Sequence, residues 1–149
     1  IASLSLENNQ TDYMITYLKD NQEDSNFENG VYDLINYYKV NQMEDDEIET
    51  FTKYLPLLNQ SYNFLNSYAW RMSELGKNLD DALNKADMAL ILMEKEHQGY
   101  ANILDTKAEI LWKIGRTEEA ISTIEEALSI DSDSEYYKTQ KEKFLNSLQ

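Results

Sequence analysis

A single histidine, an acidic DSDSE segment and many paired carboxylates are the residues of this chain that could do chemistry. His97 lies alone in the polar stretch EKEHQGY, and a lone loop imidazole is ordinarily a solvated one. Asp131, Asp133 and Glu135 alternate as calcium-loop ligands do, with Glu142 at the twelfth place. Tyr136, however, stands where glycine makes the sharp turn of such a loop. The segment therefore reads as an inter-helix turn in which Ser134 or Asp133 caps the next helix. Paired acids on helices are solvated faces unless their environments separate their pKa values. No Gly-rich phosphate loop is present, and no serine or threonine has a recognisable base beside it. These residues predict no catalytic site, no metal and no cofactor.

The elements that would position any site are written twice, 39 residues apart. When Tyr62–Leu92 is aligned with Ala101–Ile130, with one extra residue in the first copy, Leu65, Ala69, Met72 and Gly76 fall on Leu104, Ala108, Leu111 and Gly115. Ala82, Ala86, Ala89 and Leu90 fall on Ala120, Ile124, Ala127 and Leu128. A period in this range signals stacked supersecondary units. In the second copy, Ala120, Ile121, Ile124, Ala127 and Leu128 form one apolar stripe at helical spacing. Thr117, Glu118 and Glu119 give that helix an acidic first turn. Gly115 suits the left-handed stop of the helix before it. That preceding helix is apolar on two faces, Leu104, Ala108 and Leu111 on one and Ile103, Ile110 and Ile114 on another. Such a helix must lie between neighbours. Asn102, Asp105, Glu109 and Lys113 fill its narrow polar sector, with Trp112 at the edge.

Elsewhere the pattern is plainer. Residues 1–10 read as irregular. Thr11–Asn21 reads as a helix, as does Asn26–Val40 with Val31, Leu34, Ile35 and Tyr38 on one side. After the acidic break MEDDE (43–47), Ile48, Phe51, Tyr54 and Leu55 mark a third helix, which Pro56 ends. Residues 26–60 have the outline of a degenerate earlier repeat. Glu135–Leu148 predicts a final helix with Tyr137, Lys141, Phe144 and Leu148 at near-helical spacing, a cap for the last repeat. The expected total is about eight helices.

Composition agrees with an all-α protein: one proline, four glycines and abundant helix formers. At 149 residues the chain is large enough to bury a core. The formal net charge of −15 argues against nucleic acid and anionic membrane surfaces. Residues 1–60 carry 12 acids against 3 bases, and residues 61–149 carry 16 against 10. No apolar run approaches the roughly 18–20 residues of a transmembrane helix, so no membrane insertion is expected. The absence of cysteine excludes disulfides and leaves the compartment open. The chain begins at Ile1 with no signal-like segment, which suggests that native sequence precedes it.

The segment ANILDTKAEILWKIGRTEEAISTIEEALSIDSDS (101–134) resembles a tetratricopeptide repeat, a 34-residue helix-turn-helix. The small positions match at Ala108, Ala120 and Ala127, and the large ones at Leu104, Leu111 and Ile124. Lys107 departs from a usual leucine, and Ser132 from a frequent proline. The resemblance implies an α-α superhelix with repeats at 62–96 and 101–134, a capping helix at 135–148, and N-terminal helices over 1–60, all in one continuous domain. It further implies a non-catalytic module whose concave groove binds a protein or peptide. Carried over by position, Asn63, Asn66, Trp70, Ser73 and Glu74 would line the groove from one repeat. Asn102, Asp105, Glu109, Trp112 and Lys113 would line it from the other. Asparagines can bond an extended backbone through both donor and acceptor, and tryptophans supply concentrated apolar contact. Only Lys113 is positive there, so a basic or neutral peptide is the expected partner.

The alternatives are structural. Trp70 and Trp112 could fill space between helices, and Asp105 and Glu109 could bond within the domain. The stretches LNSYAWRM (65–72) and NILDTKAEILWKIGR (102–116) also resemble helical tails behind thioredoxin-like domains of some bacterial proteins. That resemblance implies an appendage, or a homodimerisation surface, for an upstream domain.

Overall fold

Gly76 and Gly115 end their helices in the same way. Both adopt positive φ, +65° and +83°. At the first, Gly76 N–H bonds the Ser73 carbonyl and Lys77 N–H bonds that of Met72; at the second, Gly115 pairs with Trp112 and Arg116 with Leu111. This doubled bond satisfies carbonyls that a helix end would leave open.

The computed structural model describes the backbone of residues 2–95, 97 and 99–149, and side chains from residue 10 onward among these. The described residues form eight helices and no strand: α1 (Ala2–Asp20), α2 (Phe27–Val40), α3 (Glu44–Tyr54), α4 (Tyr62–Leu75), α5 (Leu79–Leu92), α6 (Gly99–Lys113), α7 (Thr117–Ile130) and α8 (Glu135–Asn146). Its contacts divide the chain into two compact units, residues 1–58 and 59–149.

In the first unit, α2 packs on α1 and on α3. Its buried stripe is Val31, Leu34, Ile35 and Tyr38, with Phe27 at its start. Phe27 meets Tyr54 of α3 edge to face, centroids 5.7 Å apart. Helix α3 stops at Tyr54, two residues before Pro56, whose ring cannot continue the ladder. One expectation fails here: residues 2–10 are helical, not irregular. Extending a helix already nucleated downstream costs far less than starting one.

In the second unit the two copies fold into the hairpins α4–α5 and α6–α7, and α8 packs on α7. Equivalent residues are buried alike. Leu65, Ala69 and Met72 are sealed, as are Leu104, Ala108 and Leu111. Ala82, Ala86 and Ala89 match Ala120, Ile124 and Ala127, all at 0% exposure. Alanine lets the backbones approach closely, and a larger residue there costs about 1–3 kcal/mol in strain. Helix α6 is buried on most of its circumference, against α4, α5 and α7. Each of its sealed aliphatic side chains contributes about 1.5–3 kcal/mol. Lys107, at the position where leucine is usual, reaches Asp87 of α5 at 2.7 Å. A cross-helix ion pair replaces the apolar contact.

Candidate functional site

The polar sector of α6 meets a partner from the same chain. Helix α8 buries Tyr137, Gln140 and Phe144. The Tyr137 hydroxyl donates to Asn102 Oδ1 at 2.6 Å. The Gln140 amide donates to Asp105 at 3.1 Å and to Glu109 at 3.3 Å. The Lys143 ammonium donates to Glu109 and lies 4.5 Å from the centre of the Trp112 ring. The Trp112 indole N–H donates to Ser147 Oγ at 2.9 Å, and its ring packs on Phe144. Asp105 and Glu109 are thereby buried, 6% and 7% exposed.

Asn102, Asp105, Glu109 and Trp112 all bond to or pack against α8; Asp105 and Glu109 are buried there, whereas Asn102 stays exposed and Trp112 half-buried. The reason is local: Tyr137, Gln140 and Phe144 recur at three- and four-residue spacing and present one face to α6. The expected stripe on α8 is corrected in part. Lys141 pairs with Glu125 of α7 at 2.7 Å, and Leu148 is 56% exposed beyond the helix end.

Burial drives the electrostatics of this seam. Desolvation is the largest influence on Asp105 and, with the charge of Glu109, holds its carboxyl above the usual range despite bonds from Gln140 and Tyr136 and the charge of Lys143. The Tyr136 phenol is pushed up to about 12, by burial first and then by the charge of Asp105 and a hydrogen bond to it. A carboxylate with no cation directly on it, next to a second carboxylate, disfavours its own charge.

Helix α4 presents the equivalent positions differently. Its N-cap Ser61 accepts from Phe64 N–H at 3.2 Å. Tyr68 bonds Asp81 of α5 at 2.8 Å and sets the pitch of the hairpin. Burial tends to raise the Asp81 carboxyl, but bonds from Lys85 and Tyr68 outweigh it and hold it low. Asn63 and Glu74 are exposed, and Asn66 and Trp70 are half-buried. Glu74 pairs with Arg71 at 3.1 Å. Asn66 Oδ1 and the hydroxyl of the buried Ser73 have no hydrogen-bond partner among the described residues. The Lys113 ammonium donates to the Ser73 carbonyl at 2.6 Å, where it also faces the negative end of α4. It sits 3.8 Å from Glu109. Lys113 and Lys143 are therefore engaged internally, and Arg71 is paired with Glu74.

The remaining chemical candidates are structural. His97 Nδ1 accepts from Gly99 N–H at 3.0 Å, at the start of α6, and its ring lies 6.3 Å from that of Tyr62. Spacing alone could have suggested this role, since an acceptor two residues before a helix N-terminus is placed to meet an open N–H. Ser134 caps α8 by accepting from Tyr137 N–H, so DSDSE is the turn between α7 and α8. Among the described residues no helix is long and apolar enough to cross a membrane.

Comparison with protein-family models finds no match, and no curated protein matches the chain. Among solved structures, the first tetratricopeptide domain of Spaghetti (RPAP3), bound to the HSP90 peptide SRMEEVD, is similar at a TM-score of 0.69. The two are 18% identical, and the match covers 84% of this chain and 95% of that one. This chain has the tetratricopeptide fold. Lys113 of α6 bonds back to Ser73 of α4, and Ser147, just past α8, is bonded by Trp112 of α6.

Proposed function

We propose that this tetratricopeptide module is non-catalytic and binds an extended protein segment along the inner face of α4. The observation that carries the reading is the contrast between α4 and α6. On α6, Asp105 and Glu109 are buried under α8, whereas on α4 Asn63 is exposed, Trp70 is half-buried and Asn66 Oδ1 has no hydrogen-bond partner among the described residues. Asn66 and Asn63 would bond the backbone of the segment, and Trp70 would pack on an apolar side chain. Ser73 and Glu74 border the site, and Lys113 closes it toward α6.

The partner class follows from charge. With Lys113 and Lys143 engaged internally and Arg71 paired with Glu74, no free ammonium remains on this face among the described residues to hold an acidic peptide or a terminal carboxylate. The structural neighbour is bound to SRMEEVD, whose Glu-Glu and Asp are acidic. This chain would take a neutral or basic segment instead. Its test is selection of linear peptides from a displayed library on the whole chain, followed by affinity measurement on Trp70→Ala. Enrichment of neutral or basic sequences, with at least tenfold weaker binding to a still-helical Trp70→Ala, is the expected outcome. Enrichment of acidic sequences, or equal affinity for the variant, would refute the reading.

A further inference from the structure

Helices α1 and α2 of the first unit pack closely where Gly30 backs onto Leu18 and Tyr17. Farther along, a groove of about 570 Å³ runs between them, lined by Tyr13 and Met14 of α1 and by Asp33, Asn36, Tyr37 and Val40 of α2. That volume falls within the roughly 300–1,000 Å³ of ligand pockets, but a pocket for a small molecule encloses most of its occupant. This groove is open instead: Tyr13 and Val40 are 72% and 69% exposed. Its form suits a segment of another chain laid along it. No residue of the second unit lines it.

The chemistry of the groove narrows the occupant. Asp33, Asn36, Tyr37 and Val40 recur at i, i+3, i+4 and i+7, so they form one row along α2. With Tyr13 and Met14 beside that row, apolar surface is grouped rather than scattered, which marks an interaction site. Among the described residues no lysine or arginine lines the groove, and residues 1–60 carry 12 acids against 3 bases. The field over it is therefore negative. A second copy of this chain would bring its own formal net charge of −15. Nucleic acid and anionic membranes are repelled in the same way. The complement is a basic segment with an apolar stripe.

We propose that the groove between α1 and α2 docks a basic amphipathic helix of a partner protein, its apolar stripe on Tyr13, Met14, Tyr37 and Val40 and a lysine or arginine on Asp33. A helix fits because two packed helices present side-chain ridges and grooves to a third, and the described residues contain no strand whose edge an extended segment could join. The register of the partner follows from the row on α2. Asp33 and Val40 are seven residues apart, about 10 Å along the axis. The partner's cation therefore lies about seven residues from the apolar side chain that meets Val40. Adding a carboxylate beside Asp33 strengthens the contact, whereas placing a cation at Val40 blocks it.

The test is fluorescence anisotropy of a labelled synthetic peptide titrated with the whole chain, in about 0.15 M salt to screen diffuse attraction. The probe is a helix of leucine, alanine and arginine, about 15 residues long so that it can fold alone. Its leucines share one face, with an arginine seven residues from one of them. One control replaces arginine by glutamate, and the other replaces leucine by glutamine. Saturable binding of the probe is expected, with both controls roughly tenfold weaker or more, about 1.4 kcal/mol. Asp33, Asn36 and Val40 are exposed, so substitutions there spare the core. Val40→Lys and Asp33→Asn weaken binding several-fold, and Asn36→Asp tightens it. A gain of affinity cannot come from misfolding, so Asn36→Asp keeps the test decisive. Absence of saturable binding, a control that binds as well as the probe, or no gain in Asn36→Asp overturns the proposal. Sedimentation without peptide covers the other occupant: a dimer that Val40→Lys makes monomeric assigns the groove to a second copy and overturns it too. Chemical-shift perturbation by the probe is expected at Tyr13, Asn36, Tyr37 and Val40. Perturbation at Asn63 and Trp70 instead would overturn this site and leave the reading of α4 standing.

Discussion

Replacing Phe144 by alanine tests how α8 is held. The ring is fully buried and stacks at a tilt against Trp112, centroids 5.7 Å apart. A buried phenylalanine truncated to alanine costs about 3–5 kcal/mol, from lost transfer energy and the cavity left behind. The aromatic pair accounts for about 0.5–1.5 kcal/mol of interaction. The other links across the seam are polar, and each is worth about 0.5–1.5 kcal/mol net, or about 1.5–3 for bonds to charged groups. Phe144 is therefore the largest apolar anchor of a terminal helix. Losing it should undock α8 locally before the hairpins open. Amide hydrogen exchange reads this out: protection across Tyr137–Asn146 should fall by roughly a hundredfold or more, at about 1.4 kcal/mol per factor of ten. Protection in α4–α7 should hold. Fluorescence of Trp112, read in a Trp70→Phe background, should shift toward that of a solvated indole. Unchanged α8 protection, or an equal loss across all of residues 59–149, would refute the picture of α8 as a separately held cap on α6.

Three further outcomes follow. Asp105 has a folded-state pKa above its unfolded value, so its ionised form is penalised in the fold; that penalty is present at neutral pH and is relieved as pH falls through the folded pKa. Urea melts should thus show wild type gaining more stability than Asp105→Asn between neutral and mildly acidic pH, and equal gains would contradict the assignment. Gly76→Ala and Gly115→Ala meet no atom within 4 Å, so their cost is conformational alone; each should destabilise by about 1–2 kcal/mol in thermal melts, and a neutral result would place the helix stops elsewhere. Lys107→Leu removes a half-exposed ion pair with Asp87 and restores the residue usual in the repeat; its stability should stay within about 1 kcal/mol of wild type, and a larger loss would make that pair a structural tie.

The repeats are legible because each position is specified twice. Small residues at Ala82, Ala86 and Ala89 mean little in one copy, but their recurrence at Ala120 and Ala127, with glycines ending the preceding helices, allows only stacked hairpins. The beginning of α1 is not legible, since Asn8 and Asn9 are weak breakers inside a helix already nucleated downstream. The seam between α6 and α8 is hidden for a different reason. Asp105, Glu109, Gln140 and Lys143 are polar, and a polar stripe reads as a solvated face in either helix taken alone. Only their pairing across the fold reveals that Asp105, Glu109 and Gln140 are buried and that Lys143 is half-buried over Glu109. The same blindness separated the two tryptophans: Trp112 is met by Phe144, Lys143 and Ser147, while Trp70 is not, although one sequence rule placed both at a groove.

The most direct measurement is chemical-shift mapping of the whole chain with a selected neutral or basic peptide. Perturbations clustered on Asn63, Asn66, Trp70 and Glu74 of α4, with α8 still protected, are the expected result. Perturbations confined to the outer helices α5 and α7, or release of α8 as binding proceeds, would contradict recognition by the open face of α4.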